Sequence, residues 1–108
     1  MAVEYSFKFT ENAEEDLNDI LKYISEDLSN PSAASGLAHR IFECIDNVRV
    51  FPESGLIVEN DFLADKTIRK VLVENYTIYY KADDKNKLIY IVRLVYSRRD
   101  MNELFKQL

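Results

Sequence analysis

The side chains with most chemical potential in this 108-residue chain lie in its last forty residues. Arg69 and Lys70 are adjacent, Arg93 stands alone inside an apolar run, and Arg98-Arg99 follow that run. Tyr76, Tyr79, Tyr80, Tyr90 and Tyr96 are interleaved with them. Guanidinium and ammonium groups beside aromatic rings can hold phosphates and stack bases, or grip an acidic protein segment. Other chemistries find little support. His39 is the only histidine and Cys44 the only cysteine; five residues apart on a helix they point in different directions, so no metal site is expected. No glycine-rich phosphate loop and no nucleophile–histidine pattern is present, and no cofactor is implied. Glu14-Glu15 and Asp83-Asp84 read as solvated helix and turn residues.

The basic cluster must be positioned by the strands that carry it. Residues 67–74, 76–82 and 87–96 are rich in β-branched and aromatic residues and are joined by Asn75 and by Asp83-Asp84-Lys85-Asn86, which predicts three successive antiparallel strands. Arg69 and Lys70 fall on opposite faces of the first. In the last, alternation puts Leu88, Tyr90, Val92, Leu94 and Tyr96 on one face and Ile89, Ile91 and Val95 on the other. A strand apolar on both faces belongs inside a sheet. Arg93 in such a strand is costly to bury unless it is paired or opens onto a groove.

Upstream, residues 3–9 alternate as a half-buried strand. Thr10 stands at a helix N-cap position before acidic residues that suit the positive end of a helix dipole. Ala13, Leu17, Ile20, Leu21, Ile24 and Leu28 then share one face at helical spacing. Asn30-Pro31 restarts the chain as cap and first-turn proline. A second helix follows with Ala34, Leu37, Ala38, Ile41, Ile45 and Val48 on its apolar face, ending by Phe51-Pro52. Residues 52–66 read as a loop pinned by Leu56, Ile57, Val58, Phe62 and Leu63, and residues 99–108 as a short closing helix. The order is β-α-α-β-β-β-α. It predicts an α+β fold in which a helix hairpin packs on one face of a small, mainly antiparallel sheet and leaves the other face open.

At this length a single domain over residues 1–108 is expected. Hydrophobic residues make up 47%, and with only two glycines and two prolines the chain is neither disordered nor low-complexity. No run is long and apolar enough for a membrane span and no signal peptide is apparent; with one cysteine, a cytoplasmic protein is expected. The net charge of −5 argues against a general nucleic-acid binder, but it is unevenly spread. Residues 1–65 carry 14 acidic and 4 basic side chains, whereas residues 66–108 carry 5 acidic and 10 basic. Such asymmetry points to two surfaces with different tasks.

The element order, the strand Tyr76-Thr77-Ile78-Tyr79-Tyr80 and the ending Arg93-Leu94-Val95-Tyr96-Ser97-Arg98-Arg99-Asp100 resemble the RelE/ParE superfamily of toxins from bacterial type II toxin–antitoxin pairs, closer to the ParE branch. The resemblance implies a growth-inhibiting toxin of the plasmid-stabilisation kind, forming a hetero-oligomer with a cognate antitoxin. It also implies one of two activities: inhibition of DNA gyrase by protein–protein binding, or ribosome-dependent, metal-independent cleavage of mRNA. For the nuclease, the residues matching by position are Lys70 and Arg99, with Arg93 beside them. An arginine of the middle strand is replaced by Thr77 and a C-terminal tyrosine by Phe105, so the chain lacks a positioned acid and one charge-stabilising group. That favours the gyrase-type reading; the alternatives are a RelE-type nuclease using Arg69, Lys70, Arg93 and Arg99 in a rearranged site, and a degenerate toxin that retains only antitoxin binding. Target or antitoxin contact is expected at Arg69, Tyr96, Arg98, Arg99 and Phe105.

Overall fold

The computed structural model of the chain describes residues 4–108, so Val3 of the expected first strand lies outside the described residues. The elements run β1 (Ser6–Phe9), α1 (Glu11–Lys22), α2 (Pro31–Val50), β2 (Leu56–Ile57), β3 (Arg69–Val73), β4 (Tyr76–Asp83), β5 (Leu88–Tyr96) and α3 (Asn102–Phe105). They build one five-stranded sheet in the order β1-β5-β4-β3-β2. β5 is an inner strand: β1 joins it in parallel, Ser6 opposite Leu88, and β4 joins it antiparallel, Tyr76 opposite Tyr96. This is the α+β arrangement that the sequence predicts, with one strand added. Leu56–Ile57, read as loop, pairs with Lys70 and Arg69 to form the outer strand β2.

The caps are where the residue types place them. The Thr10 hydroxyl accepts from Ala13 N at 3.2 Å and donates to Val92 O at 2.9 Å, so one side chain starts α1 and ties it to the edge of β5. Asn30 Oδ1 accepts from Ala33 N at 3.1 Å, with Pro31 in the first turn of α2. Beyond Lys22 the first helix widens into a π-helical turn over Tyr23–Asp27, where Leu28 N donates to Tyr23 O at 3.1 Å, and it stops at Ser29 with φ 49°. The wider turn shifts the phase of the apolar stripe. Leu28, expected in the core, is accordingly 55% exposed. Leu21 is only half-buried.

The main core lies between the helices and one face of the sheet. It joins Leu37, Ile41, Ile45 and Val48 of α2 to Ile78, Tyr80, Ile89, Ile91 and Leu94, with Leu17, Ile20 and Ile24 packed on partly buried. The alternation expected along β5 breaks at a bulge. Tyr79 faces Arg93 but Tyr80 faces Ile91, leaving Val92 as the extra residue. Leu94 therefore joins Ile89 and Ile91 in the main core, and Tyr90, Val92 and Val95 belong to the opposite face.

That opposite face is covered, contrary to the expectation that it stays open. Val58, Leu63 and Ile68, together with Leu104 and Phe105 of α3, pack over Tyr79, Val92 and Val95 as a second core. Tyr79, Val92 and Val95 on one sheet face are too costly to leave in water, and the segment read as a loop supplies the cover together with α3. Leu56, Ile57 and Phe62 of that segment are exposed, so only Val58 and Leu63 pin it. The β3–β4 turn is Glu74-Asn75, with Glu74 at φ 53° and its carboxylate 2.6 Å from Arg40 Nε on α2.

Candidate functional site

The basic residues singled out in the sequence are not brought together on one surface. Arg93 is the clearest case. Its Nε and Nη2 donate to Asp16 Oδ2 at 2.7 Å and Oδ1 at 2.9 Å, and Leu94 N donates to the same carboxylate at 3.0 Å. Both side chains are nearly buried, at 12% and 14% exposure. The bulge explains the contact: α1 lies along the β5 edge beyond the end of β1, and Asp16 replaces a missing strand partner for Leu94. Arg93 is thus paired rather than open to a groove.

Arg69 also has local duties. Its Nη1 donates to Gly55 O at 2.7 Å and Glu53 O at 3.2 Å, stapling the segment after α2 to β3. Gly55 is confined by the same corner. Its N–H donates to Tyr80 Oη at 2.9 Å, and a Cβ there would fall 2.5 Å from that oxygen and 2.8 Å from Lys70 O. Lys70 pairs with Leu56 on one side and Tyr79 on the other, and its ammonium group makes no polar contact with the described residues. Phe105 lies inside the second core at 4% exposure, its ring edge-on to Tyr79 with centroids 5.4 Å apart. It presents no surface to a partner in this conformation. Thr77 is buried, its hydroxyl 2.9 Å from that of Ser97.

Tyr96 and Arg99 do come together, in a cleft of about 610 Å³ between α1 and the ends of β4 and β5. Ile20, Tyr23, Tyr76 and Leu94 complete its apolar walls, and Asp16 and Asp19 reach it from α1. Tyr23 is 51% and Tyr96 47% exposed, and Tyr96 sets its ring edge against Tyr76 at 5.9 Å. Burial, reinforced by Tyr23, Tyr96 and Glu74, pushes the Tyr76 hydroxyl above its ordinary range. It is therefore a neutral hydrogen-bonding wall and not a base at neutral pH. Burial likewise raises Tyr79 and Tyr80. Arg98 is exposed beside the cleft in the turn that follows β5.

The α1 side of this cleft is absent from the residues chosen on sequence. Tyr23 is the signal that was available: an aromatic residue off the apolar stripe of an amphipathic helix has no core position to fill. A second cleft of similar size, lined by Ile57–Phe62, Lys66 and Asn102, contains none of the expected residues.

Residues 7–101 match the family model described as the ParE toxin of the type II toxin–antitoxin system parDE. The chain belongs to the ParE toxin family. No curated protein sequence matches it. Among solved structures it is similar to the chromosomal ParDE toxin–antitoxin system from P. aeruginosa, with a TM-score of 0.67 and 20% identity over 86% of this chain and 96% of that one. It is similar also to the toxin–antitoxin complex RelBE2 from Mycobacterium tuberculosis, at TM-score 0.60 and 18% identity over 87% of this chain and 99% of that one. The isolated E. coli RelE toxin matches at TM-score 0.55 and 14% identity, covering 95% and 97%. At such identities the structural likeness establishes the shared fold alone. For this ParE-family chain the side chains must decide between activities that the fold accommodates equally.

Proposed function

We propose that this chain is a single-domain toxin, residues 1–108, that arrests growth by binding DNA gyrase and is held inactive by a cognate antitoxin in a hetero-oligomer. The observation that carries the reading is that three positions a nuclease would use are occupied by side chains engaged within the fold. Arg93 is neutralised by Asp16, Phe105 is packed on Tyr79, and Thr77 is buried against Ser97. Cleavage of a phosphodiester needs a group to activate the nucleophile, positive charge for the transition state and an acid for the leaving oxygen. Of the residues matched for those roles, Lys70 and Arg99 alone are free of polar side-chain partners among the described residues. The acidic balance of residues 1–65 also opposes entry into an RNA-rich site. Among the described residues no helix is long and apolar enough to cross a membrane.

The antitoxin contact follows from the positive half of the chain. Arg98 and Arg99 are exposed without ion-pair partners among the described residues, and Tyr96 lies beside them. An acidic, partly unfolded segment would be steered there and order on binding. Two assays on purified protein test the proposal together. Gyrase-catalysed supercoiling of relaxed plasmid should fall with added toxin and recover with antitoxin. Message on programmed ribosomes, mapped by primer extension, should stay intact. Unimpaired supercoiling with codon-phased cuts that vanish on Arg99→Ala would reject the gyrase reading in favour of the nuclease.

A further inference from the structure

The tyrosine cleft carries more information than its shape. Asp16 spends its two carboxylate oxygens on Arg93 and Leu94, so it contributes no free charge to the cleft. Asp19, on the same helix, has no hydrogen-bonded or ion-paired side-chain partner among the described residues, and neither does Arg99 on the opposite wall. Between them stand Ile20, Tyr23, Tyr76 and Tyr96, two of whose rings are about half exposed. The result is an apolar slot with one uncompensated negative rim and one uncompensated positive rim. A slot of this kind reads orientation as well as hydrophobicity, because a reversed occupant would set like charges together at both rims.

We propose that this cleft is the specificity pocket for the antitoxin: one segment of the antitoxin seats a bulky apolar side chain between Tyr23 and Tyr96, with a carboxylate on Arg99 and a Lys or Arg on Asp19. The inference rests on the antitoxin reading above and adds where the antitoxin is anchored and which two charges select it. The charge order names the occupant. A purely acidic peptide satisfies Arg99 but is repelled by Asp19, whereas a segment of mixed charge satisfies both. The cleft volume of about 610 Å³ suits a side chain and its neighbours. The π-helical turn fits this role, since it begins at Tyr23 and such turns recur at functional sites.

The test measures binding of the full-length cognate antitoxin to full-length toxin by calorimetry at two salt concentrations. Tyr23→Ala should weaken binding by about 30-fold, as for an aromatic anchor at an interface centre. Asp19→Lys and Arg99→Glu should each cost about tenfold. For Arg99→Glu, reversing one acidic residue of the antitoxin should restore affinity, which a merely structural role of Arg99 would not allow. All three residues are exposed or on the rim, and circular dichroism melting verifies that the variants stay folded. Wild-type affinity in all three folded variants would overturn the pocket while leaving the toxin assignment intact. Failure of the wild-type toxin to bind its antitoxin would instead overturn the assignment. Concentration-dependent self-association that disappears in Tyr23→Ala would show the occupant to be a second copy of this chain, and would also overturn the proposal.

Discussion

Among the described residues, replacing Asp16 with alanine removes the only ionic partner of a guanidinium that is 12% exposed, and the only side-chain acceptor of Leu94 N. Deleting one member of a buried ion pair typically costs about 3–5 kcal/mol, because the surviving charge is left desolvated. The orphaned Leu94 N–H adds to this only where water cannot reach it, at about 1–3 kcal/mol. The cavity left by a short aspartate side chain beside the protein surface is small. The expected loss is therefore about 4 kcal/mol, a large share of the roughly 5–15 kcal/mol that stabilises a typical domain. Asp16→Asn should lose less, since an amide oxygen can still accept from Leu94 while leaving Arg93 uncompensated. The double variant Asp16→Leu with Arg93→Met should recover much of the loss, because no unpaired charge is buried. Urea denaturation followed by far-ultraviolet circular dichroism reads all three, with midpoints compared at unchanged slope. An Asp16→Ala variant within about 1 kcal/mol of wild type would show that Arg93 rehydrates freely. A double variant no better than Asp16→Ala would show that the ion pair is not what matters.

Three other outcomes follow from burial and geometry. Phe105→Ala should cost about 3–5 kcal/mol through loss of its packing on Tyr79, while Leu28→Ala should stay within about 0.5 kcal/mol, measured by the same denaturation; equal effects would invalidate the second core. Gly55→Ala should destabilise by about 1–3 kcal/mol, because its Cβ must displace either Tyr80 Oη or the β3 backbone, and loss of the 2.9 Å Gly55–Tyr80 bond should show as faster amide exchange at residue 55. Stability should fall at both ends of the pH scale. Asp65, lowered mainly by the Thr67 hydroxyl, and Asp83, lowered mainly by the Asn86 side chain, add stability above the unfolded value of 3.8 that is lost as pH falls through their folded values. Tyr76, Tyr79 and Tyr80, raised chiefly by burial, hold stability that is full below pH 10.0 and lost as pH climbs through their folded values. Midpoints measured from pH 3 to 11 should trace both limbs, and an Asp65→Asn/Asp83→Asn variant should flatten the acid one.

Local signals in the sequence carry most of the framework. Thr10, Asn30 and Pro31 act on their immediate neighbours, so the helix starts are legible without any tertiary knowledge. Leu37, Ile41, Ile45 and Val48 repeat at helical spacing and are buried as that spacing requires. What could not be read depends on partners distant in the chain. The bulge at Val92 is defined by its register with β4, and it reverses which face Leu94 and Val95 occupy. β2 is two residues long and becomes a strand only because Arg69 and Lys70 present an edge. The pairing of Arg93 with Asp16 crosses 77 residues, and nothing near either residue announces it. Phe105 and Tyr96 illustrate the same limit in the site. Both are aromatic and near the arginine pair in sequence, yet α3 carries one into the second core and leaves the other half exposed.

The parallel pairing of β1 with β5 has a consequence for how the protein comes into being. Ser6 meets Leu88, and the Thr10 hydroxyl meets Val92 across 82 residues, so the first strand has no sheet to join until the last has been made. Closing so long a loop before its contacts form is entropically costly and slows folding. A ribosome-bound chain can preform α2 and the β3–β4 hairpin, but the Asp16–Arg93 clamp and the tyrosine cleft require β5 to have emerged. The surface proposed to engage the antitoxin therefore matures only after nearly all of the chain has been synthesised, which separates translation of the toxin from the appearance of its binding activity.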